Sequence, residues 1–405
     1  MGRIVGSLKK RGLIGTLKLV LNKVRNRLRN DKKIEQKNRA YLKSYLKNYK
    51  TVIVFENNFG WNQIMKQRPQ QIAEHMQKDV LFLYGSSVDE YSDSKRYSIL
   101  KDNLLLIDLG IYRNLILEAT KKITSKYIMI YSTDYIPMKA IANYHENGFK
   151  TIYEYVDDID EKLCGVETSK LLKARHQLIV NRKDTLIIAT ADKLYRNALA
   201  INKEAMVKLV TNGTDYLHFS KKNVEVPSDM LEISKPIVGY YGALASWFDY
   251  EVINKVAKER PDINIVLIGL DYDGTLSQSG ILNHPNVFYL GKKDYNQLPD
   301  YLDLFDVAII PFLVNEITLS TSPVKLFEYM SREKPIVTTA LPECRKYQSV
   351  LVSEKHEDFL INLDLAFNKI DDQEYKELLK NEALENSWDK KTQDICELIL
   401  KFEKR

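Results

Sequence analysis

Residues 320–330 read Ser320-Thr321-Ser322-Pro323-Val324-Lys325-Leu326-Phe327-Glu328-Tyr329-Met330. Ser322 is a good N-cap and Pro323 a good first helical residue, so a helix is predicted to start sharply there. The free N–H groups of such a start, together with the helix dipole, form an anion site, and the Ser320 and Thr321 hydroxyls add donors. Lys325 falls in the first turn, where a cation is unfavourable unless it meets an anion. Glu328 follows three residues later on the same helical face. Phosphate on the helix start and on Lys325, with a sugar hydroxyl on Glu328, describes a nucleotide-diphosphate site. A capped surface helix with a Lys–Glu pair accounts for the same residues without a ligand.

The flanks place this helix in a larger pattern. A strand at Val307–Ile310 runs into Pro311-Phe312 and a loop before it, and Arg332–Pro335 turns into the strand Ile336–Thr339 after it. Further back, short β-branched runs at Ile237–Tyr241, Ile263–Ile268 and Val287–Leu290 alternate with helix-length segments, and Val350–Val352 adds another at the end. An earlier series comprises Thr51–Phe55, Val80–Tyr84, Leu104–Leu109, Tyr127–Tyr131, Thr151–Val156 and Thr185–Ala189. Strand, helix, strand repeated in this way predicts parallel sheets covered on both faces.

The fold class expected is therefore α/β, with two Rossmann-like doubly wound domains facing a cleft. Residues 51–220 form the N-terminal domain and 236–372 the C-terminal one, joined by a polar linker near 218–235. Residues 373–405 read as a C-terminal helix that crosses back to the first domain. Ligands of open parallel sheets sit beyond the carboxyl ends of the strands, which places the site in the cleft.

The chain has 405 residues, 44% of them hydrophobic, enough for two or three domains. Three scattered cysteines (164, 344, 396) offer neither a disulfide framework nor a CxxC metal pair, so a reducing compartment is the default. The histidines show no ligand spacing, and Asp158-Ile159-Asp160 and Asp271-Tyr272-Asp273 read as solvated turns, so no metal site is expected.

Charge is lopsided. Residues 1–50 carry 16 Lys/Arg against Asp31 and Glu35, a net of +14, which leaves the remaining 355 residues at −8. Within this basic arm, Leu13, Leu17, Val20, Leu21, Val24 and Leu28 recur at helical spacing among lysines and arginines. Such an amphipathic helix suits an anionic membrane surface. Packing on the protein itself and nucleic-acid binding are the alternatives, and no nucleic-acid-reading module follows. No uninterrupted apolar run reaches the length of a membrane span.

The helix at 320–330 and its flanks resemble glycosyltransferases of the GT-B fold, particularly the retaining group that includes family 4. Glu328 matches the second glutamate of the family's E-x7-E pair, which holds the donor ribose, while Ser320 stands at the first. The S-P-x-K-x-x-E-Y variant resembles bacterial surface-polysaccharide transferases, in which Lys325 looks like the diphosphate clamp. Ile237–Trp247, I-V-G-Y-Y-G-A-L-A-S-W, resembles the strand and glycine turn that open the donor half, with Gly242 allowing close backbone approach. Trp247, Phe248 and Asp249 stand where many relatives carry Arg and Lys. Val287–Tyr295 resembles the loop that holds the donor base, which implicates Gly291 and Lys293. Val210–Asp215 resembles the "N-G-V-D" that ends the first half, and Asn386-Ser387-Trp388 the "SW" of the terminal helix.

In the first half, Phe59-Gly60-Trp61 leads to Lys66-Gln67-Arg68-Pro69-Gln70-Gln71. By resemblance Trp61 stacks on a sugar and Arg68 holds an anion, although a plain helix start with a surface Arg explains them too. Asp157 and Asp158 close a strand, where active-site groups of parallel sheets belong. Asp157 as general base implies inversion, and as a hydrogen-bond partner of the donor sugar it fits retention. Helix capping is the bland reading of both aspartates.

The resemblance implies a metal-independent, retaining hexosyltransferase without a cofactor. Its donor is a nucleotide-diphosphate sugar, UDP-linked in the first instance, and its acceptor a glycan or polyprenyl-linked glycan of capsule, O-antigen or cell wall. Catalytic roles fall on Asp157 and Lys325. Donor binding falls on Gly242, Gly291, Lys293, Ser320, Thr321, Ser322, Lys325 and Glu328, and the acceptor or phosphate side on Trp61, Arg68 and Asp158. The expected location is cytoplasmic, peripheral on the inner face of the cell membrane, with no nucleic-acid partner. A non-catalytic nucleotide- or glycan-binding scaffold subunit and a sugar-nucleotide epimerase of the same fold are the rival readings.

Overall fold

The structure is a computed structural model that describes residues 33 and 35–404, apart from 59, 63–65, 87–94, 160, 162–165 and 222–224. Two sheets organise the chain. The first has eight strands: β1 (Thr51–Phe55), β2 (Val80–Gly85), β3 (Tyr97–Lys101), β4 (Leu104–Ile107), β5 (Ser125–Tyr131), β6 (Lys150–Tyr155), β7 (Thr185–Ala189) and β8 (Met206–Leu209). Their order is β3-β4-β2-β1-β5-β6-β7-β8, parallel except for the β3–β4 pair. The second has six parallel strands: β9 (Ile237–Tyr241), β10 (Asn264–Ile268), β11 (Val287–Tyr289), β12 (Val307–Ile310), β13 (Ile336–Thr339) and β14 (Val350–Ser353). Their order is β11-β10-β9-β12-β13-β14.

Both sheets are covered on two faces, which is why their central strands are continuous apolar runs. Val52 to Phe55 and Ile265 to Ile268 are essentially inaccessible. Each such side chain gains about 1.5–3 kcal/mol on burial. β3 and β8 lay outside the sequence expectation. β3 is an edge strand with only Tyr97 buried, and β8 an edge strand with no buried residue.

The C-terminal helix is two helices, Gln373–Glu385 and Trp388–Glu403. Ser387 breaks them apart, its hydroxyl oxygen accepting from Lys390 N at 3.3 Å as N-cap of the second. Trp388, Ile395, Ile399 and Phe402 share one stripe of that helix, and they join the core of the first sheet with Ile72 and Tyr127. The hinge between the sheets passes directly beneath the break. A β-carbon on Gly213 would stand 2.6 Å from the Asn386 carbonyl oxygen, so only glycine lets the two backbones pass.

Of the basic arm, residues 1–32 and 34 lie outside the described residues. The remainder packs on the body: a helix over 35–46 sinks Leu42 and Leu46 into the core of the N-terminal half. The Tyr45 and Tyr49 hydroxyls both donate to the Asp102 carbonyl. Among the described residues no helix is long and apolar enough to cross a membrane.

Candidate active site

The carboxyl ends of β6, β9 and β12 converge on a cavity of about 390 Å³ between the two halves. Asp157 enters it after β6, Tyr241 and Gly242 at the end of β9, and Phe312 after β12. The helix Val324–Ser331 points its first turn into it, bringing Thr321, Ser322, Lys325 and Glu328 to the wall.

This helix starts one residue later than expected. Pro323 is its N-cap and Val324 its first residue, with no side-chain cap. The Val324 and Lys325 N–H groups take no backbone partner among the described residues, and Leu326 N already reaches back to Pro323 O at 3.2 Å. Two free donors therefore face the cavity at the positive end of the helix dipole. Ser322, displaced from the cap, is engaged from the other half of the molecule. Its Oγ accepts from Asn212 N at 3.2 Å and its carbonyl from Asn212 Nδ2 at 2.7 Å. A hydroxyl that accepts here keeps its own proton for the cavity.

Lys325 is held by ring faces. Its Nζ lies 5.2 Å from the Tyr240 ring centroid and 4.9 Å from that of Phe312. It makes no hydrogen bond or ion pair with a described residue. Burial pushes its pKa down to about 8, against a smaller opposing pull from Glu328. Gly242 makes its place, with φ of +141° and a Cβ position that would fall 2.7 Å from Lys325 Cε.

Glu328 is 5% exposed and accepts from the Tyr241 hydroxyl at 2.8 Å. Burial lifts its pKa to about 7. Asp157 is lifted to about 7 as well, by burial and then by the neighbouring charge of Asp158. Two carboxyls and one ammonium thus sit in one cleft with proton affinities displaced toward neutrality, a pattern typical of functional sites.

Other expected residues are engaged elsewhere. Ser320 donates to Ile317 O at 2.9 Å and is absent from the cavity wall, and Thr321 reaches the same carbonyl at 3.2 Å while keeping its place in the wall. Gly291 lies outside the wall, and Lys293 pairs with Asp229 at 2.6 Å. Trp61 packs edge-on against Tyr84, with ring centroids 4.9 Å apart.

Arg68 is 5% exposed. Its Nε donates to Glu154 Oε2 at 2.6 Å and its Nη1 to Thr211 O at 2.9 Å. It ties the first half to the hinge rather than facing the cavity. Asp158 pairs with Lys193 at 3.3 Å, and Lys193 continues across the cleft to Glu316 at 2.7 Å. Asp271 and Asp273 cap the short turn that follows them, accepting from Ser277 and Thr275. Among the described residues no cluster of His, Cys, Asp and Glu is arranged to hold a metal ion.

The structure adds residues that the sequence reading passed over. Lys66 enters the wall from the N-terminal half, paired with Glu74 at 2.7 Å. Tyr295 lies beneath it and accepts from Gln71 Nε2 at 2.8 Å, a bond between the two halves. Trp247 supplies an aromatic wall.

Comparison with known proteins agrees with this architecture. Residues 235–364 match the family model of Glycosyl transferases group 1. The chain is 30% identical over 229 residues to a putative teichuronic acid biosynthesis glycosyltransferase of Bacillus subtilis (strain 168). That match covers 54% of this chain and a little over half, 57%, of the relative. Among solved structures, Anabaena HepE in complex with UDP and glucose is similar over 87% of this chain and 99% of its own, with a TM-score of 0.58 at 14% identity. Sucrose-phosphate synthase from Thermosynechococcus elongatus covers the same shares, with a TM-score of 0.59 at 13% identity. The two facing α/β halves are the GT-B fold, and the second half matches the group 1 transferases in sequence as well.

Proposed function

We propose, from a GT-B body whose second half is of the group 1 glycosyltransferase type, that this chain moves a hexosyl group from a nucleotide-diphosphate sugar to a hydroxyl of a glycan or lipid-linked glycan. One observation carries the proposal. Lys325 is a half-buried cation that pairs with no carboxylate among the described residues, set beside two free helix N–H groups in the interdomain cavity. A diphosphate supplies the missing charge, and it is the group on which charge develops as the sugar departs.

The other residues divide the remaining work. Ser322 and Thr321 offer hydroxyls to the phosphates, and Glu328, oriented by Tyr241, takes the ribose. Asp157 stands on the opposite wall. With a pKa lifted to about 7 it exchanges a proton readily near neutral pH. Retention, with Asp157 bonded to the donor sugar, is the outcome favoured by resemblance, and inversion makes Asp157 the base that receives the acceptor's proton. No metal is required in either case, since Lys325 and the helix start carry the leaving-group charge. A UDP-linked donor is the first to test, because HepE is described with UDP.

The B. subtilis relative's name points toward bacterial surface-polysaccharide synthesis. An acceptor of that kind on a lipid carrier places the enzyme on the cytoplasmic face of the membrane, with the basic amphipathic arm as anchor. The test is nucleotide-diphosphate release from a panel of nucleotide sugars, with and without acceptor lipid. Release that depends on Lys325 supports the proposal. No release with any donor points to the scaffold reading, which the serine at 320 in place of a glutamate favours.

A further inference from the structure

We propose that the folded body carries its own docking surface for an anionic bilayer, a lysine-lined groove at the amino ends of β1 and β5. The groove, about 730 Å³, is formed where the helix over 35–46 runs out toward β1 and the turn at 121–124 enters β5. Lys43, Lys47, Lys50, Lys121 and Lys122 line it. Glu118 is the one carboxylate among the lining residues, and Lys43 already engages it at 2.5 Å. The other four lysines are exposed and pair with no described carboxylate. Their combined field is felt by Glu118, whose carboxyl is held below its usual range by Lys43 first and then by Lys121 and Lys47.

Four uncompensated like charges repel one another, and the fold holds them together by burying Leu42, Leu46 and Ala119 behind them. An arriving anionic surface relieves that repulsion. The chain's own arm cannot fill the groove, because residues 1–32 carry ten Lys/Arg against Asp31. The arm does indicate the occupant. Its stripe of Leu13, Leu17, Leu21 and Leu28 seeks an apolar medium, and the chain passes from it within a few residues into the helix that carries Lys43, with Lys47 in the turn that follows. A bilayer offers apolar depth and anionic headgroups on one surface, whereas a nucleic acid offers only the anions. Tyr41, 49% exposed on that helix, suits headgroup depth. The choice of occupant rests on the membrane reading of the arm, but the groove exists without it. It also lies at the opposite strand ends from the donor cavity, so changes there leave the cavity untouched.

The test is co-sedimentation of the full chain with vesicles of phosphatidylcholine alone or mixed with phosphatidylglycerol. Lys121→Glu/Lys122→Glu is expected to weaken binding to the anionic vesicles about tenfold or more at low salt, with UDP affinity and melting temperature unchanged. Binding equal to the parent overturns the proposal. A second variant, Leu17→Glu/Leu21→Glu, separates the arm from the groove. If only the arm variant loses vesicle binding, the groove proposal fails and the arm reading stands. If only the lysine variant loses it, the arm reading fails and the groove stands. Loss of binding to double-stranded DNA by the lysine variant, with vesicle binding intact, also overturns the proposal.

Discussion

Lys325 occupies the space that any side chain on Gly242 would need: a β-carbon there would lie 2.7 Å from its Cε and 3.0 Å from its Nζ. The glycine at the end of β9 and the lysine in the first turn of the helix Val324–Ser331 therefore share one space, and a side chain at 242 must displace the lysine. Gly242→Ala must adopt φ near +141° at a cost of about 1–3 kcal/mol, and must also push the ammonium off the Tyr240 and Phe312 rings. Titration calorimetry with UDP is expected to show affinity lowered tenfold or more. An unchanged affinity would mean that Lys325 does not meet the phosphates from this position.

Lys325 also holds a charge in a place that disfavours it. Replacing it with methionine keeps the contact with the two rings and removes the half-buried charge. Lys325→Met is expected to melt a few degrees higher than the parent, a gain on the order of 2 kcal/mol, while losing most of its nucleotide affinity. A variant that binds UDP as well as the parent would remove Lys325 from the donor site.

The same lysine sets a proton count. Its folded-state pKa, about 8, lies below the unfolded value of 10.5. The penalty of the desolvated charge is complete below about pH 8 and fades as pH rises toward 10.5, because the unfolded chain holds more protons in that window. A bound diphosphate favours the charged form, so near pH 9 nucleotide binding should draw in a proton. Calorimetry in buffers of different ionisation enthalpy is expected to show uptake approaching one proton, absent in Lys325→Met. Binding without proton exchange at that pH would contradict the pairing.

What could be read from the sequence follows the range of the interactions. Val52–Phe55 and Ile265–Ile268 announce themselves because parallel strands buried on both faces are uninterrupted apolar runs. Lys325 and Glu328 were legible because three residues of a helix place them together. β3 and β8 were not, since edge strands are half exposed and carry no such pattern. Arg68 looked like a free cation because its partner, Glu154, lies 86 positions away. Lys66, Tyr295 and Asn212 reach the site only when the two halves close on each other, and no local spacing encodes that. Ser322 looked like an N-cap on local grounds, and the contact with Asn212 overrode the local preference.

The Arg68–Glu154 pair gives a prediction that separates a structural arginine from a ligand. Glu154 is fully buried, so Arg68→Ala leaves an uncompensated carboxylate and should cost about 3–5 kcal/mol. The double change Arg68→Met/Glu154→Leu is expected to regain most of that stability, together with near-parental UDP affinity. Recovery of stability without recovery of affinity would return Arg68 to the list of anion ligands.

Asn212 connects these parts. Its side-chain oxygen accepts from Arg68 Nη1 at 3.3 Å, while its Nδ2 and backbone N–H both serve Ser322. The hinge thereby fixes the Ser322 hydroxyl with its proton directed to the cavity. Asn212→Asp keeps the acceptor for Arg68 and gives up the amide donor to the Ser322 carbonyl, so its effect should fall on ligand binding more than on folding. UDP affinity is expected to drop about tenfold with only a small change in melting temperature. Ser322→Ala removes the hydroxyl itself and should cost a similar factor. If Asn212 acts by positioning that hydroxyl, the two losses overlap, and the double variant should bind no more than about twofold worse than either single one, a coupling on the order of 1 kcal/mol. Additive losses would show that Asn212 reaches the ligand by another route, and affinity equal to the parent's in all three variants would remove Ser322 from the donor site.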